Sequence, residues 1–567
     1  MDYVPLYAKK HRILKIFRTF FRRLLGKCRL DFAETINVFV QKYSIDSTKT
    51  LLLWEMGGYD YILIKNAILG ILLKLRGYKP LCIICDGIPQ VCIQRGLELH
   101  EDINKCVKNE EKCRKCLRRC QKKAEKYGIE YRKASEFIDH NKLNEFLEIS
   151  QKIPLKEIRF YKYLDVKIGD YAFASFNRYM KGYATTVEEI KPEFIGIYRK
   201  YLYAGLINTY VANKVVENIN PSLIITSHAT YTDYAPIVDI GVQKGINTTS
   251  WSSGYEKFMH YFASHKSGKK AQLREVSSNV FDKIASLPFQ KKQEQKLKNY
   301  FYNRYTDGKS IDIPHMKKRN DSYKIKNELG IHNTNKTICL FAHVNWDACL
   351  GLSKMIFETA NEWVTESIKK MMEIENINWI IRTHPGEKFD GSLFTTYDLI
   401  EQNFDVKKLP DHIKVLSYDS GINSYDIYKV IDGGITIFGT VGVELPYNGK
   451  PVIVAGKAHY SDKGFTYDVK SKEEYFALLQ NASEMQPLRQ DQIEIAKKYA
   501  YLYFIRKQIP FYFMNKEQGH WGDLDLQYLD EFLPGHSPVI DTICDAIIKG
   551  REIILNEDAL DFLKNKR

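Results

Sequence analysis

Two groups of residues that can bind phosphate follow apolar runs in the second half of the sequence. Arg382 and His384 end the apolar run within IIRTHPGE. Both can donate hydrogen bonds to phosphate oxygens, and the arginine can donate two at once. Gly439 and Thr440 lie between another apolar run and a helical pattern, where backbone N–H groups and a hydroxyl can bind an anion. The residue types and their spacing therefore predict a phosphate site.

Other polar side chains of the same loops are candidates for the rest of this site. Glu444 lies one helical turn after Thr440 and can accept hydrogen bonds from ribose hydroxyls; its alternative role is to complement the helix dipole. Asp347 follows an apolar run and either contacts a ligand or caps the next helix. The remaining candidates are Asn345, Glu387, Gly442, His459 and Tyr460.

Each loop that carries these candidate residues follows a predicted strand. Strand and helix patterns alternate regularly along the sequence. The first half of the sequence has strand patterns at 50–55, 81–85, 222–227 and 247–251, and the second half has them at 337–342, 377–382, 413–417, 434–438 and 451–455. Helical patterns between them include 61–76, 233–243, 353–374 and 424–431. This alternation predicts an α/β protein with two Rossmann-like, doubly wound domains that face each other across a cleft. Ligands of such sheets bind beyond the carboxyl ends of the strands, where the candidate residues lie.

The alternation divides the chain into five segments. They are a basic amphipathic helix (1–30), an N-terminal Rossmann-like domain (31–263), a charged connector (264–335), a C-terminal Rossmann-like domain (336–493) and a helical segment that packs across the domains (494–567). Residues 9–29 contain nine Lys and Arg and no acid, with apolar residues at helical spacing. Such a helix can bind an anionic membrane surface, although it can also pack on the protein itself. Because no other basic stripe is interleaved with aromatic residues, a nucleic-acid partner is not expected.

The composition is that of an ordinary globular protein. The chain has 567 residues, a formal net charge of +15, 44% hydrophobic and 27% charged residues, which disfavours long disorder and fibrous repeats. No apolar run approaches the length of a membrane-spanning helix, and the N-terminus lacks the apolar stretch of a signal peptide. We therefore expect a cytoplasmic protein that is peripheral on the inner face of the cell membrane.

Cysteines are concentrated in one region of the first half. Cys82 and Cys85 have the CxxC spacing, as do Cys113 and Cys116, and Cys120 shares a helical face with the second pair. Thiolates on one face can bind zinc or an iron–sulfur cluster. The alternative, which we favour, is that these small side chains are simply buried.

Several longer segments resemble a known enzyme family. HVNWDA, IIRTHPGE and GTVGVELPYNGKPVIVAGKAHYSDKGFTYD, within residues 337–470, are similar to the capsule and surface-polysaccharide biosynthesis glycosyltransferases. His343 stands where that family is expected to have asparagine. The family is related to bacterial enzymes that transfer 3-deoxy-manno-octulosonic acid from its CMP-activated form. VKIGDYAFASFNRY and SHATYTDYAP in the first half are similar to further segments of the family.

The resemblance implies a GT-B fold, in which the C-terminal domain holds most of a nucleotide-sugar donor. His384 would then contact the donor phosphate, with Thr440 beside it, and Glu444 would hold the ribose. Such enzymes typically need no bound metal or other cofactor, because helix dipoles and basic side chains stabilise the leaving phosphate. Walker A, GxGxxG, HExxH and GxSxG sequences are absent, which disfavours the enzyme classes that carry them.

An inverting transfer also needs a general base for the acceptor hydroxyl. The candidates are Glu55 and Asp60, which flank Gly57-Gly58, and His228, which follows the strand pattern at 222–227. His228 can equally be a hydrogen-bonded histidine at a strand end.

The sequence thus predicts a glycosyltransferase that moves a sugar from a nucleotide-activated donor, with CMP as one option, to a growing surface or capsular polysaccharide or its lipid-linked primer. Two alternatives stay open. One is a nucleotide-sugar epimerase of the same fold, and the other is a non-catalytic scaffold of a polysaccharide assembly complex.

Overall fold

The structure is a computed structural model that describes residues 32–93, 110–182, 184–272, 274–306, 321–347, 355–389, 391–517 and 522–566. The basic helix predicted for residues 1–30 lies outside these ranges. Within them, no helix combines the length and the hydrophobicity needed to span a bilayer.

Two sheets organise the described chain. The strands are β1 (Thr50–Glu55), β2 (Lys79–Ile84), β3 (Glu130–Lys133), β4 (Leu223–Ser227), β5 (Asn247–Ser253), β6 (Met259–His265), β7 (Lys336–Phe341), β8 (Ile377–Arg382), β9 (Ile413–Leu416), β10 (Gly433–Thr436), β11 (Val452–Val454), β12 (Tyr467–Asp468) and β13 (Ile509–Pro510). The first sheet has the order β13-β6-β5-β4-β1-β2-β3, and the second has the order β12-β11-β10-β7-β8-β9. All pairs are parallel except β5 with β6 and β6 with β13.

Helices connect most of the parallel strands. The α-helices are α1 (Phe32–Tyr43), α2 (Asp60–Lys74), α3 (Glu110–Lys126), α4 (His140–Lys152), α5 (Ile168–Tyr179), α6 (Pro192–Ile219), α7 (Ala235–Gln243), α8 (Ser278–Ala285), α9 (Lys291–Thr306), α10 (Ser322–Glu328), α11 (Ala360–Met372), α12 (Gly386–Phe389), α13 (Thr396–Phe404), α14 (Ser424–Ile427), α15 (Val441–Tyr447), α16 (Lys472–Gln480), α17 (Gln490–Tyr501), α18 (Pro538–Ile548) and α19 (Glu557–Lys564). Short 3₁₀ turns lie at Ala134–Phe137, Leu155–Phe160, Val406–Lys408, Ala482–Glu484 and Leu526–Phe532, and a π-helical turn, Leu502–Arg506, follows α17.

The predicted α/β fold with two Rossmann-like units is confirmed by these sheets. Strands β1 and β8 occupy the predicted ranges, because TLLLWE and INWIIR are apolar runs that a parallel sheet buries on both faces. The helical pattern at 424–431 forms a shorter helix than expected, α14. The pattern at 353–374 forms a helix only from Ala360 onward, in α11, and residues 348–354 lie outside the described ranges.

Two antiparallel strands of the first sheet were not predicted. Strand β6 continues past residue 263 to His265, and β13 lies within the C-terminal segment that the sequence indicated to be helical. The sequence MHYFASH of β6 contains two histidines, a serine and a tyrosine, so it lacks the continuous apolar run that identifies a buried strand.

The connector and the C-terminal segment lie together against both units. Helices α8 and α9 of the connector pack on α17, and α17 also packs on α15 beside the second sheet. The chain then returns to the first sheet through β13, and α18 contacts β5 and α2. This arrangement brings connector side chains to the carboxyl ends of the second sheet.

Candidate active site

A pocket lies at the carboxyl ends of the strands of the second sheet. Its walls come from the loops after β7, β8 and β10 and from helices α9, α14 and α15. The polar residues that line it include Arg304, His343, Arg382, Thr383, His384, Tyr428, Thr440 and Glu444. Four residues of the predicted phosphate and ribose sites therefore share one pocket: Arg382, His384, Thr440 and Glu444.

The Arg382 guanidinium is held in place but only partly satisfied. Its Nη1 donates to the Ser417 carbonyl and, at 3.0 Å, to Ser420 Oγ. Its Nε and Nη2 are buried and have no hydrogen-bond partner among the described residues, and the same holds for the Thr383 hydroxyl. Burial lowers the pKa of Arg382 to about 10, so the side chain stays positively charged at neutral pH. Buried donors without partners are costly, and an anion in the pocket would satisfy them.

Two neutral histidines flank this arginine. The backbone N–H of Gly386 donates to His384 Nδ1 at 3.0 Å, so the proton of the neutral ring is on Nε2. The backbone N–H of Phe438 donates to His343 Nε2 at 3.2 Å, so the His343 proton is on Nδ1. Burial lowers the pKa of His384 to about 4 and that of His343 to about 3. At neutral pH both rings are uncharged, and each keeps one N–H donor.

Glu444 takes part in a buried ion pair that the sequence did not predict. Arg304 Nε of α9 donates to Glu444 Oε1 at 3.3 Å, and the Tyr428 hydroxyl donates to Oε2 at 2.9 Å. Both charged side chains are at most 5% exposed. In this arrangement each carboxylate oxygen already accepts a hydrogen bond, so a ribose hydroxyl would have to share or displace a partner.

The side chain of Tyr460 packs against the loop before α15. A Cβ at Gly442 would lie 2.1 Å from the Tyr460 hydroxyl oxygen, and that hydroxyl donates to the Gly439 carbonyl at 2.7 Å. Thr440 stands at the start of α15, on the pocket side. Gly442 and Tyr460 therefore support the loop, and the structure does not place them in the lining of the pocket.

Asn345 and Asp347 connect the two Rossmann-like units. Arg178 Nη1 of α5 donates to Asp347 Oδ1 at 2.6 Å, and the Tyr231 hydroxyl donates to the same oxygen at 3.3 Å. Asn345 lies against Gly182, where a Cβ would come within 2.4 Å of Asn345 Oδ1. These contacts place Asp347 in the cleft, opposite the first sheet.

The charge on Asp347 is set by its cationic neighbours. Enclosure in the cleft alone would raise the pKa of this half-exposed carboxyl, but the positive charges of Arg178 and Arg274 outweigh that effect and lower the pKa. The Asp347 carboxylate in turn acts on His228 of the first unit and His384 of the second, and partly offsets the lowering of their pKa values. The charge of Asp347 thus acts both on His228, the predicted base, and on His384, which lines the pocket of the second sheet.

His228 stands at the end of β4, on the cleft side. Its backbone has φ = +49°, which is uncommon for a residue with a side chain. Its Nδ1 lies 2.5 Å from Ser227 Oγ, and its ring centroid lies 6.4 Å from that of Tyr231 and 5.8 Å from that of Tyr234. Burial, followed by the charge of Arg178, lowers the pKa of His228 to about 4, so the ring is neutral at physiological pH.

The other two predicted bases are engaged elsewhere. Asp60 begins α2 and forms an ion pair with Arg119 of α3. Glu55 is 2% exposed and accepts a hydrogen bond from Asn66. Burial raises the pKa of Glu55 to about 8, so at neutral pH it is mostly a carboxylic acid and is poorly suited to act as a base. The geometry thus favours His228 among the three.

Glu387 and His459 lie behind the loops that form the pocket. Glu387 is buried and accepts from the backbone and hydroxyl of Thr396, and burial raises its pKa to about 7. His459 Nδ1 lies 2.8 Å from the Tyr499 hydroxyl, and its ring stacks on Tyr503 at 4.1 Å between centroids. Neither residue is in the lining of the pocket.

The cysteines of the two CxxC pairs lie in β2, in the loop that follows it and in α3. Cys82 is buried in β2 and Cys120 in α3, while Cys85, Cys113 and Cys116 are half-buried. No group of three or more His, Cys, Asp or Glu side chains within the described ranges is arranged to hold a metal ion.

The sequence analysis missed several residues of this cleft. Arg178 and Tyr231 lie in FNRY and SHATYTDYAP, segments that were noted for their resemblance without a role for either side chain. Thr383 lies between the predicted residues Arg382 and His384. Arg274 and Arg304 come from the connector, where a charged side chain carries no sequence signal of its own.

Comparison with known proteins finds similarity only at the level of structure. No protein-family model matches the chain, and no curated protein matches its sequence. The solved structures similar to it include the beta-Kdo 2,4 transferase of Thermosulfurimonas dismutans KpsC, at 12% identity and a TM-score of 0.33 over 55% of this chain and 87% of that one. A second solved structure of KpsC, a beta-Kdo 2,7 transferase, has 13% identity and a TM-score of 0.31 over 51% of this chain and 79% of that one.

Epimerases are also among the similar structures. The UDP-GlcNAc 2-epimerase of Neisseria meningitidis bound to UDP-GlcNAc has 10% identity and a TM-score of 0.27 over 80% of this chain and 98% of that one. Spinosyn rhamnosyltransferase SpnG has 9% identity and a TM-score of 0.24 over 80% of this chain and 95% of that one. At these values the likenesses carry no role over to any residue of this chain.

Proposed function

We propose that the chain is a glycosyltransferase that takes a sugar from a nucleotide-activated donor and transfers it to a surface or capsular polysaccharide or its lipid-linked primer. The observation that carries this proposal is the Arg382 guanidinium. Two of its nitrogen atoms are buried, positively charged and without a hydrogen-bond partner among the described residues. A phosphate group of the donor is the ligand that matches a fixed, planar, cationic donor pair.

The neighbours of Arg382 fit the leaving group of a transfer reaction. As the bond between the sugar and the phosphate breaks, negative charge grows on the phosphate oxygens. Thr383, His384 and Thr440 line the same pocket and supply hydroxyl and N–H donors. These donors are fixed before the reaction, so they stabilise the developing charge without reorganising.

The base for the acceptor hydroxyl is proposed to be His228. The Ser227 hydroxyl lies 3.4 Å from the Trp251 carbonyl and can donate to it. His228 Nδ1 would then donate its own proton to Ser227 Oγ, which leaves the lone pair on Nε2 to accept the acceptor proton. Asp347, held by Arg178, would stabilise the imidazolium that forms.

The acceptor and the location are proposed from the sequence. Residues 9–29 would dock the protein on the anionic inner face of the cell membrane, where lipid-linked acceptors lie. The carboxylated sugar of a CMP-linked donor would suit the positive charges of Arg178 and Arg274, which act on the cleft.

The test is nucleotide binding followed by product analysis. Thermal unfolding is measured with CMP, CDP, UDP, GDP and dTDP, because a ligand at 100 times its dissociation constant stabilises by about 2.7 kcal/mol. Selective stabilisation by CMP supports an acidic sugar, and a diphosphate favours a hexose donor. His384→Ala should abolish nucleotide-dependent activity with a loss of stability below about 2 kcal/mol. If no nucleotide stabilises the wild type, the transferase proposal fails and a scaffold role replaces it.

A requirement for an acceptor distinguishes a transferase from an epimerase. An epimerase converts its nucleotide sugar without a second substrate, whereas a transferase releases the nucleotide only when an acceptor is present. His228→Gln should stop the release of nucleotide while its binding is kept, since His228 belongs to the first sheet and the pocket to the second.

A further inference from the structure

A second cavity lies between the connector and the C-terminal helical segment. It has a volume of about 250 Å³. One wall is the turn between α8 and α9 with the adjoining helix ends, and the other is formed by α17 and the π-helical turn that follows it. No described residue lines both this cavity and the pocket at the second sheet, so the two are separate sites.

Apolar side chains form most of the wall of this second cavity. Leu287 and Pro288 are exposed, Ile284 and Phe289 are half-buried, and Tyr501 is buried. The rings of Phe289 and Tyr501 meet edge to face, with 5.9 Å between their centroids. An apolar wall that is open at an exposed leucine suits a ligand with an apolar part.

The Arg506 guanidinium brings a positive charge to the same wall. Its Nε donates to the Leu555 carbonyl at 2.6 Å, whereas Nη1 and Nη2 donate to no atom of the described residues. The backbone N–H of Leu555 donates in turn to the Arg506 carbonyl at 2.9 Å, which holds the residue in place. The side chain thus presents two N–H groups in the planar arrangement that binds an oxyanion bidentately.

The other charged groups near the cavity are already paired. Lys498, the second cation of the wall, forms an ion pair with Glu494 at 3.0 Å. The charge of Glu557 acts on Arg506, but Glu557 forms its ion pair with Lys296, at 3.0 Å. Among the described residues around the cavity, one positive charge therefore remains without an ion-pair partner, which matches a ligand with a single negative charge.

The volume limits the size of the ligand. Benzene, with six heavy atoms, fits an apolar protein cavity of about 150 Å³. At the same density, a cavity of about 250 Å³ holds about ten heavy atoms, which is the size of octanoate.

We propose that this cavity binds a medium-chain acyl carboxylate, with its chain against the apolar wall and its carboxylate on Arg506 Nη1 and Nη2. The basic segment 9–29 of this chain has the wrong charge to occupy the cavity. A phosphate monoester carries about −1.5 to −2 charges at pH 7, more than one unpaired arginine balances, whereas a carboxylate carries a single charge.

The test is calorimetric titration of the full-length protein at pH 7 with octanoate, octanol, acetate and octyl phosphate. Octanoate should bind about tenfold or more tightly than octanol, which has the chain without the charge, because it gains charge-assisted hydrogen bonds. Acetate has the charge without the chain and should show no binding up to about 10 mM. Octyl phosphate should bind no more tightly than octanoate.

The wild-type titrations decide the ligand class by themselves. Octanol that binds as tightly as octanoate, or octanoate that does not bind up to about 10 mM, overturns the proposal. Acetate that binds as tightly as octanoate overturns the role of the apolar wall. Octyl phosphate that binds more tightly than octanoate overturns the choice of a carboxylate.

Two variants locate the site. Arg506→Met should weaken octanoate binding by about tenfold or more and leave octanol binding unchanged, because it removes the charge and keeps an unbranched chain. Leu287→Ser should weaken both ligands by about threefold or more; Leu287 is 59% exposed, so its replacement leaves the fold intact. The matched control, Arg489→Met, removes an exposed arginine that lines neither cavity and should bind like the wild type. Wild-type affinity for octanoate in Arg506→Met would refute the proposal, since the carboxylate would then bind elsewhere.

Discussion

Replacing Arg382 by methionine should separate nucleotide binding from stability. Burial lowers the pKa of Arg382 from 12.5 to about 10, which corresponds to about 3 kcal/mol against the charged form in the unliganded protein. Methionine keeps an unbranched apolar chain and removes that cost. It also removes the hydrogen bonds to Ser417 and Ser420, each worth about 1.5 to 3 kcal/mol because the donor is charged. We therefore expect the free energy of unfolding to fall by less than about 3 kcal/mol.

Nucleotide affinity should fall far more. A phosphate bound by Nε and Nη2 makes two charge-assisted hydrogen bonds, each worth about 1.5 to 3 kcal/mol. Losing both weakens binding by about 100-fold or more. Arg382→Lys keeps the charge but not the planar fork, so its affinity should lie between those of the wild type and the methionine variant.

The assay is calorimetric titration with the nucleotide that stabilises the wild type, together with denaturant unfolding of each protein. Arg489→Met is the matched control, because Arg489 is exposed and its guanidinium pairs with the exposed Asp491. It should bind like the wild type. Wild-type affinity in Arg382→Met, or a loss of stability above about 4 kcal/mol, would refute the reasoning, since the arginine would then be structural.

Three further outcomes are expected. Glu55→Gln keeps an oxygen for the same hydrogen bond but cannot ionise. The pKa of Glu55 is raised from 4.5 to about 8 in the folded protein. The stability that this carboxyl contributes is therefore complete below pH 4.5, decreases as the pH rises, and is lost once the pH passes through 8. The variant should therefore match the wild type near pH 4 and exceed it by up to about 3 kcal/mol at pH 7, and equal pH profiles in denaturant unfolding would contradict the burial of this group. Asp347→Asn removes a half-exposed ion pair with Arg178, so stability should drop by less than about 1 kcal/mol while the rate of transfer falls; an unchanged rate would remove Asp347 from the mechanism. Deletion of residues 1–30 should release the protein from anionic vesicles without altering its unfolding, and retention on the vesicles would refute the membrane-docking helix.

The sequence alone was sufficient to predict the positions of the central strands. Strands such as β1 and β8 are short apolar runs next to helical patterns, and burial on both faces of a parallel sheet requires that composition. Their order along the chain also placed Arg382, His384 and Thr440 at the same edge of one sheet. The antiparallel strands β6 and β13 were missed, because β6 mixes polar and apolar residues and β13 has only two residues, whose pairing with β6 joins segments distant in sequence.

The sequence by itself therefore determined the α/β architecture and placed the candidate phosphate-binding residues at one edge of the second sheet, because hydrophobic periodicity and strand-end position are local properties. The tertiary structure decided how each side chain is used. Arg304 reaches Glu444 across the chain, Arg178 pairs with Asp347 between the two units, and Glu55 is buried as an acid. Charge pairing and burial depend on which distant segments pack together, and no spacing within a single segment encodes them.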